Sequence, residues 1–158
     1  MKIDITKIKY REANISDIED LFHWRNHDTT RPMLFNQEII HWDDHCNWFS
    51  ETIKKTIRYC LIFYFEGNKK KIGTIHFSLK NNSALVSIII SPEMRNKKLA
   101  SICLNLAIKN FCIQFPYIKK LIAEIKLVNI ASKKIFTKEG FKLNKVNKDF
   151  NLYLMNIN

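Results

Sequence analysis

The chain has 158 residues, 46% of them hydrophobic, which suits one domain with a single buried core spanning residues 1–158. Its longest apolar runs, such as Tyr-Cys-Leu-Ile-Phe-Tyr-Phe at 59–65, are too short to cross a bilayer, and the opening Met-Lys-Ile-Asp-Ile-Thr lacks the apolar centre of a signal peptide. The expectation is a soluble, cytoplasmic protein with no membrane partner. Lysine and arginine outnumber aspartate and glutamate by 26 to 15, a net charge of +11 that favours an anionic partner.

In chain order, residues 8–13 alternate apolar and polar and predict a first strand. Ser16 is the expected cap of a helix reaching about His27, with Asp17, Glu19 and Asp20 in its first turn. Pro32 blocks simple continuation, and Asp43 or Asp44 is the expected cap of a second helix with Cys46, Trp48, Phe49 and Ile53 along its apolar side. Three β-rich runs follow at 58–65, 71–79 and 84–90, separated by Glu-Gly-Asn-Lys-Lys and Lys-Asn-Asn-Ser, and read as an antiparallel meander.

After Pro92 the period changes. Leu99, Ile102, Cys103, Leu106 and Ile113 recur at helical spacing up to Pro116. Residues 119–127 predict a strand, the stretch beside Asn129 a helix ending at Gly140, and 141–146 and 150–157 two last strands. The order β-α-α-β-β-β-α-β-α-β-β defines an α+β domain with a mixed sheet.

Cys46, Cys60, Cys103 and Cys112 lie singly in apolar runs, without the close pairs of a zinc ribbon, and read as reduced, buried thiols. His23/His27 and His41/His45 have the i, i+4 spacing zinc can use, but no glutamate follows the first histidine of either pair as a metalloprotease site requires, and no metal is assigned. The lysines fall in short groups such as 69–71, 97–98 and 133–134 rather than on one face, so no nucleic-acid partner is expected.

A strand, a short loop and a helix N-terminus together offer free amides and a positive dipole end to an anion, and Arg95-Asn96-Lys97-Lys98-Leu99-Ala100 stands at such a junction. That hexapeptide resembles the pyrophosphate loop of the GCN5-related N-acetyltransferases, Gln/Arg-x-x-Gly-x-Gly/Ala, with Lys98 where glycine belongs. Asn129, Ser132, Lys138, Gly140 and Phe141 resemble the same superfamily's second motif, in which Phe136 stands where the family has the tyrosine that protonates the departing thiolate.

The resemblance implies acetyl-CoA as co-substrate, in a splayed cleft along Ile88, Ile89 and Ile90, with residues 95–100, Asn129, Ser132 and Phe136 around it. Glycine would allow positive φ and close backbone approach; lysine at 98 is expected to forfeit both while adding a cation, so the loop is either a modified cradle or one that has kept its shape and lost its ligand.

Residues 21–49 resemble the N-terminal half of the amino-sugar acetyltransferases of the pseudaminic-acid pathway and share features with ribosomal-protein N-terminal acetyltransferases. The resemblance implies acetylation of a UDP-linked amino-deoxy sugar in surface-glycan synthesis, with Trp24, Arg25, Asn26, Arg31 and Met33 at the acceptor. Arg25 and Arg31 are good diphosphate partners, and Met33, Phe35 and Trp42 offer an apolar wall. The competing structural roles are Trp24 and Phe22 in the core and Arg25 paired with Asp20 or Glu51.

The carbonyl oxygen of the thioester would meet a backbone N–H near Ile88–Ile90. His76 and Ser78 are candidates for the base, with His45 behind them, and Ser132 joins the catalytic candidates as a substitute acid. The other readings are a protein N-terminal acetyltransferase and a non-catalytic coenzyme or sugar-nucleotide binder.

Overall fold

A computed structural model describes residues 3–54 and 57–157. The strands are β1 (Ile8–Glu12), β2 (Arg58–Phe65), β3 (Lys71–Lys80), β4 (Ser83–Ile90), β5 (Lys120–Lys126), β6 (Lys142–Val146) and β7 (Phe150–Asn156); the helices are α1 (Ile18–Asn26), α2 (Trp42–Ile53), α3 (Leu99–Gln114) and α4 (Ile130–Lys138). The strands form one seven-stranded sheet in the order β1-β2-β3-β4-β5-β7-β6.

The meander β1 to β4 is antiparallel throughout, and β4 to β5 is a parallel pair made through α3. A crossover between parallel strands needs a dozen or more residues, which the α3 segment supplies.

The two faces of the sheet carry separate cores. One packs Phe77, Phe111, Leu104, Cys103, Leu121 and Phe136 beneath α3 and α4. The other packs Leu21, Trp24, Phe49, Cys60 and Ile62 beneath α1 and α2. Burying a side chain such as Phe49, which is 0% exposed, contributes roughly 2–3 kcal/mol, and this fixes α2 over β2. Cys60 and Cys103 sit within these cores, where burial pushes the thiols up to about 11 and about 12 respectively, so both stay protonated and inert. All four cysteines are free, with Cys46 and Cys112 only partly buried.

The helix entries differ from expectation. Asn14 rather than Ser16 provides the cap: its side chain accepts from the Ser16 N–H, and Asp17 closes a capping box with the Asn14 N–H. Asp17 is wholly buried and also takes a two-pronged bond from Arg11 at 2.7 and 2.9 Å and a contact from Lys71 Nζ at 2.8 Å. Burial works against its charge, but these donors outweigh burial and hold its carboxyl below the usual range. The start of α1 is thereby fastened to β1 and β3. For α2 the cap position is His41, with no side-chain cap, and Asp43 and Asp44 lie in the first turn, where they complement the helix dipole.

Candidate active site

The sheet opens beside β4. Parallel pairing joins Ser83, Ala84 and Leu85 of β4 to Lys120, Leu121 and Ile122 of β5 and goes no further, so among the described residues 86–90 have no strand partner on that side. The Ser91 N–H donates to Ile72 O at 2.9 Å, which fixes the phase of the strand: amides of odd-numbered residues point at β3, and those of Ile88 and Ile90 point into the gap. A free amide in a dry cleft is an acceptor's natural partner and, for a reacting carbonyl, an oxyanion donor.

Three cavities run together along this gap. The first, about 540 Å³, is lined by Leu21, Arg25, Asp44, His45, Trp48 and His76 among others, with Ser87, Ile88 and Ile89 of β4 as its floor. The second, about 360 Å³, shares Leu34, Ile88 and Ile89 with the first and adds Thr30, Arg95, Asn129 and Ser132. The third, about 530 Å³, shares Ile90, Arg95, Ala100 and Ile135 with the second and ends among Lys98, Lys134 and Lys138. The result is a channel with an apolar, aromatic end and a cationic end, joined by unpaired strand.

The loop at the cationic end answers the question of the missing glycine. Asn96 and Lys98 both take the left-handed conformation, at φ 60° and 59°. Lys98 therefore keeps the backbone shape that glycine would give, contrary to expectation, at a cost of about 1–2 kcal/mol. It is also the residue before α3, and its side chain makes no cap, which leaves the first amides of that helix open. Asn96, Lys98, Leu99 and Ala100 line the third cavity, although the Leu99 side chain is 2% exposed and belongs to the core. Lys97 turns away and donates to Glu93 O at 2.8 Å.

Arg95 is a brace. Its Nε donates to Ile90 O at 3.1 Å, Nη1 to Thr29 Oγ1 at 2.5 Å, and Nη2 to Thr30 Oγ1. On the far wall, Asn129 caps α4 by accepting from the Ser132 N–H at 3.1 Å, and both residues line the second cavity. Phe136 is corrected: it is 3% exposed, packs edge-on against Phe141 at 5.0 Å, and lines none of the three cavities. Its neighbour Ile135 lines the channel instead, because adjacent helical residues diverge by about 100°.

At the apolar end, the expected acceptor residues divide. Trp24 is core at 8% exposure. Asn26 clamps the connecting segment, its amide bonding both the O and the N–H of Ile40 at 2.9 Å. Arg31 binds Asn26 O, Gln37 O and Asp28, and lines neither the first nor the second cavity. Met33 lines the second cavity. Arg25 alone of the group lines the first; it pairs with neither Asp20 nor Glu51, and instead donates to Glu38 O at 3.0 Å and Asn36 O at 2.6 Å. Burial, and then the neighbouring charge of Arg31, lower its pKa.

His76 lies on β3 opposite Ser87 of β4, with its ring 5.9 Å from Trp48. Desolvation, helped by Arg58, pushes its pKa down to about 4, so it is neutral at physiological pH and offers a lone pair. His45 Nε2 meets Ile18 O at 2.8 Å, which requires the proton on Nε2 and leaves Nδ1 as the acceptor; its pKa is lowered by burial. Ser78 lies two residues beyond His76 and lines neither the first nor the second cavity, whereas Ser87, not among the sequence candidates, lines the first. Only register with β3, which sets Ser87 opposite His76, identifies it, because a lone serine within a strand does not show which face it lines. Among the described residues no group of three or more His, Cys, Asp or Glu side chains is placed to hold a metal.

A splayed parallel pair, an unpaired strand edge and a left-handed loop leading into a helix N-terminus define an acyl-coenzyme A transferase site. A family profile described as "Acetyltransferase (GNAT) domain" matches residues 7–142, and the chain belongs to that family. It is an N-acetyltransferase with acetyl-CoA as co-substrate.

Solved structures agree. A domain from Methanocaldococcus jannaschii superposes with TM-score 0.82 at 25% identity, covering 96% of this chain and 99% of that one. The spermidine N-acetyltransferase of Vibrio cholerae, solved with CoA and spermine, gives 0.81 at 16% identity, covering 96% and 95%. The N-acetyltransferase PseH of Campylobacter jejuni gives 0.71 at 18% identity, covering 95% and 98%. No curated protein matches the chain by sequence. Among the described residues no helix is long and apolar enough to cross a membrane.

The residues present fit the coenzyme. The Ile88 and Ile90 edge suits the amides of an extended arm, and the first turn of α3 with Lys98, Lys134 and Lys138 suits its phosphates. When bound, acetyl-CoA supplies a thioester whose carbonyl carbon is open to attack by an amine.

Proposed function

We propose that the acceptor is a nucleotide-linked amino-deoxy sugar, acetylated in the cytoplasm for surface-glycan synthesis. The observation that carries this reading is the lining of the first cavity. Leu21, Leu34, Ile39, Ile40 and Trp48 make its wall apolar, Arg25 is its one cation and Asp44 its one carboxylate among the described residues. A deoxy sugar presents an apolar edge to such a wall, and a diphosphate finds Arg25, which uses two of its five N–H groups on carbonyls and has three to spare. A polyamine would need several carboxylates and approaches a chain of net charge +11 against repulsion.

In this reading the acetyl oxygen takes the Ile88 N–H, and the apolar wall keeps the attacking amine neutral by excluding water. His76, opposite Ser87 across β3 and β4, offers the lone pair that receives the amine's proton, with the Ser87 hydroxyl or a water as relay. With His76 pushed down to about 4, the acetylation rate shows no imidazole inflection between about pH 6 and 7.

The test is thiol release from acetyl-CoA with a UDP-linked 4-amino-4,6-dideoxy sugar, spermidine and an N-terminal peptide as alternative acceptors. Turnover with the sugar nucleotide, and a rise in its KM in Arg25→Met, is the expected result. Turnover confined to spermidine or to the peptide overturns the sugar reading.

A further inference from the structure

Arg95 stands where the second and third cavities meet and is among the residues lining both. It reaches 65 and 66 residues back along the chain to the hydroxyls of Thr30 and Thr29, at the start of the segment 27–41 that walls the acceptor cavity. Thr30 is 5% exposed, although threonine in a loop is ordinarily solvated. Among the described residues no carboxylate pairs with Arg95, so a half-buried guanidinium rests on two hydroxyls and a carbonyl, all neutral. Burial without a counter-charge disfavours the cation and lowers its pKa.

We propose that Arg95 is a positioning residue through which the coenzyme channel orders the acceptor wall, with Thr30 as the receiving contact. A guanidinium has five N–H groups, and three are in use. An anionic or carbonyl oxygen of the coenzyme can take the remaining two without releasing either threonine, and it supplies the electron-rich partner that the site lacks. Filling the channel therefore tightens the Arg95 brace, and the brace tightens residues 29–34. By linkage, acceptor affinity rises when coenzyme is bound, and coenzyme affinity rises equally when acceptor is bound. The proposal rests on the coenzyme assignment and is independent of which amine is acetylated.

The readout is hydrogen exchange on the full chain, with and without saturating CoA, the saturation being set for each variant by calorimetry. The Thr30 and Arg31 amides bond His27 O, Met33 bonds Thr30 O, and Leu34 bonds Arg31 O, so all four report on the acceptor segment. In the parent protein CoA is expected to slow exchange at 30–34 about tenfold, a coupling of ordinary size, together with the first turn of α3. In Thr30→Val the α3 protection persists and that at 30–34 is lost; Thr30→Ser restores it. Arg95→Lys, which keeps the charge but has no fork to span both hydroxyls, behaves as Thr30→Val and serves if that variant does not fold.

Protection of α3 alone in the parent, or equal protection of 30–34 in Thr30→Val, overturns the coupling and leaves the coenzyme site intact. No protection in either segment overturns the coenzyme assignment and this proposal with it.

Discussion

Along β4 the coenzyme channel is built largely from backbone, the open amides of Ile88 and Ile90 and the left-handed residues Asn96 and Lys98, whereas the acceptor cavity is walled by residues 27–41, whose course depends on side chains from other elements. Asn26 and Arg25 hold Ile40, Glu38 and Asn36 from α1; Arg95 holds Thr29 and Thr30; and Lys126 Nζ at the end of β5 holds Pro32 O and Leu34 O at 3.0 and 3.3 Å. A backbone site tolerates substitution as long as φ is kept, which is how a lysine stands in for glycine. A side-chain-braced wall changes one contact at a time, so acceptor choice is free to vary at contacts other than the Arg95 brace while the backbone of the channel is kept.

The contrast is open to a graded set of measurements. The largest effect is expected from Asp17→Ala, which removes the anchor of α1 and leaves Arg11 and Lys71 facing each other without their carboxylate. A loss of about 3 kcal/mol in denaturant unfolding is expected. Because its folded pKa is depressed, the contribution of Asp17 is complete above the unfolded value near about pH 4 and fades as pH falls through the folded one, and the variant's acid-unfolding curve should lack that step.

Gly73→Ala tests the wall common to both halves. A Cβ there would stand 2.5 Å from Ile89 O and 3.0 Å from Ile90 Cα, both backbone, so β4 must shift at the splay. Overpacking of this kind costs about 2 kcal/mol, and calorimetry should show weaker CoA binding as well as a raised KM for the acceptor. A selective effect on one ligand would mean that the two halves do not share β4 rigidly.

Asn26→Ala separates the halves. Removing the two bonds to Ile40 is expected to cost about 1–2 kcal/mol and to raise the acceptor KM, with the CoA dissociation constant unchanged within twofold. A matching loss of CoA affinity would show that the Ile40 end of the wall is coupled to the channel as well as the Thr30 end.

Lys98→Gly has the smallest effect and the opposite sign. Relief of the left-handed backbone is expected to raise stability by about 0.5–1 kcal/mol, while the loss of a cation beside the phosphates lowers CoA affinity and flattens its salt dependence. Unchanged salt dependence would place the Lys98 ammonium away from the coenzyme.

The strands, helices and their order were legible in the residues, because period-two and period-3.6 patterns survive wherever one face is buried, and Pro92, Pro116 and Gly140 mark the ends. The motifs at 95–100 and 129–141 stood out for a related reason: a strand-to-helix loop and a helix cap such as Asn129 are local, so their residues stay at fixed spacing.

The roles of individual side chains depended on neighbours distant in sequence. Arg95 reads as a loop residue alone until Thr29 and Thr30 are seen beneath it, Trp24 and Phe136 read as site residues until their burial is known, and Ser87 enters only because β3 sets it against His76. Sequence by itself determined where the strands and helices run and in what order, since those follow from local pattern, while the family resemblance implied the opening along Ile88–Ile90 and the tertiary structure set the β4-β5-β7-β6 pairing. Which polar side chains face the opening, and which brace it, was decided by the tertiary structure, because a hydrogen bond between residues 65 positions apart leaves no periodic trace in the chain.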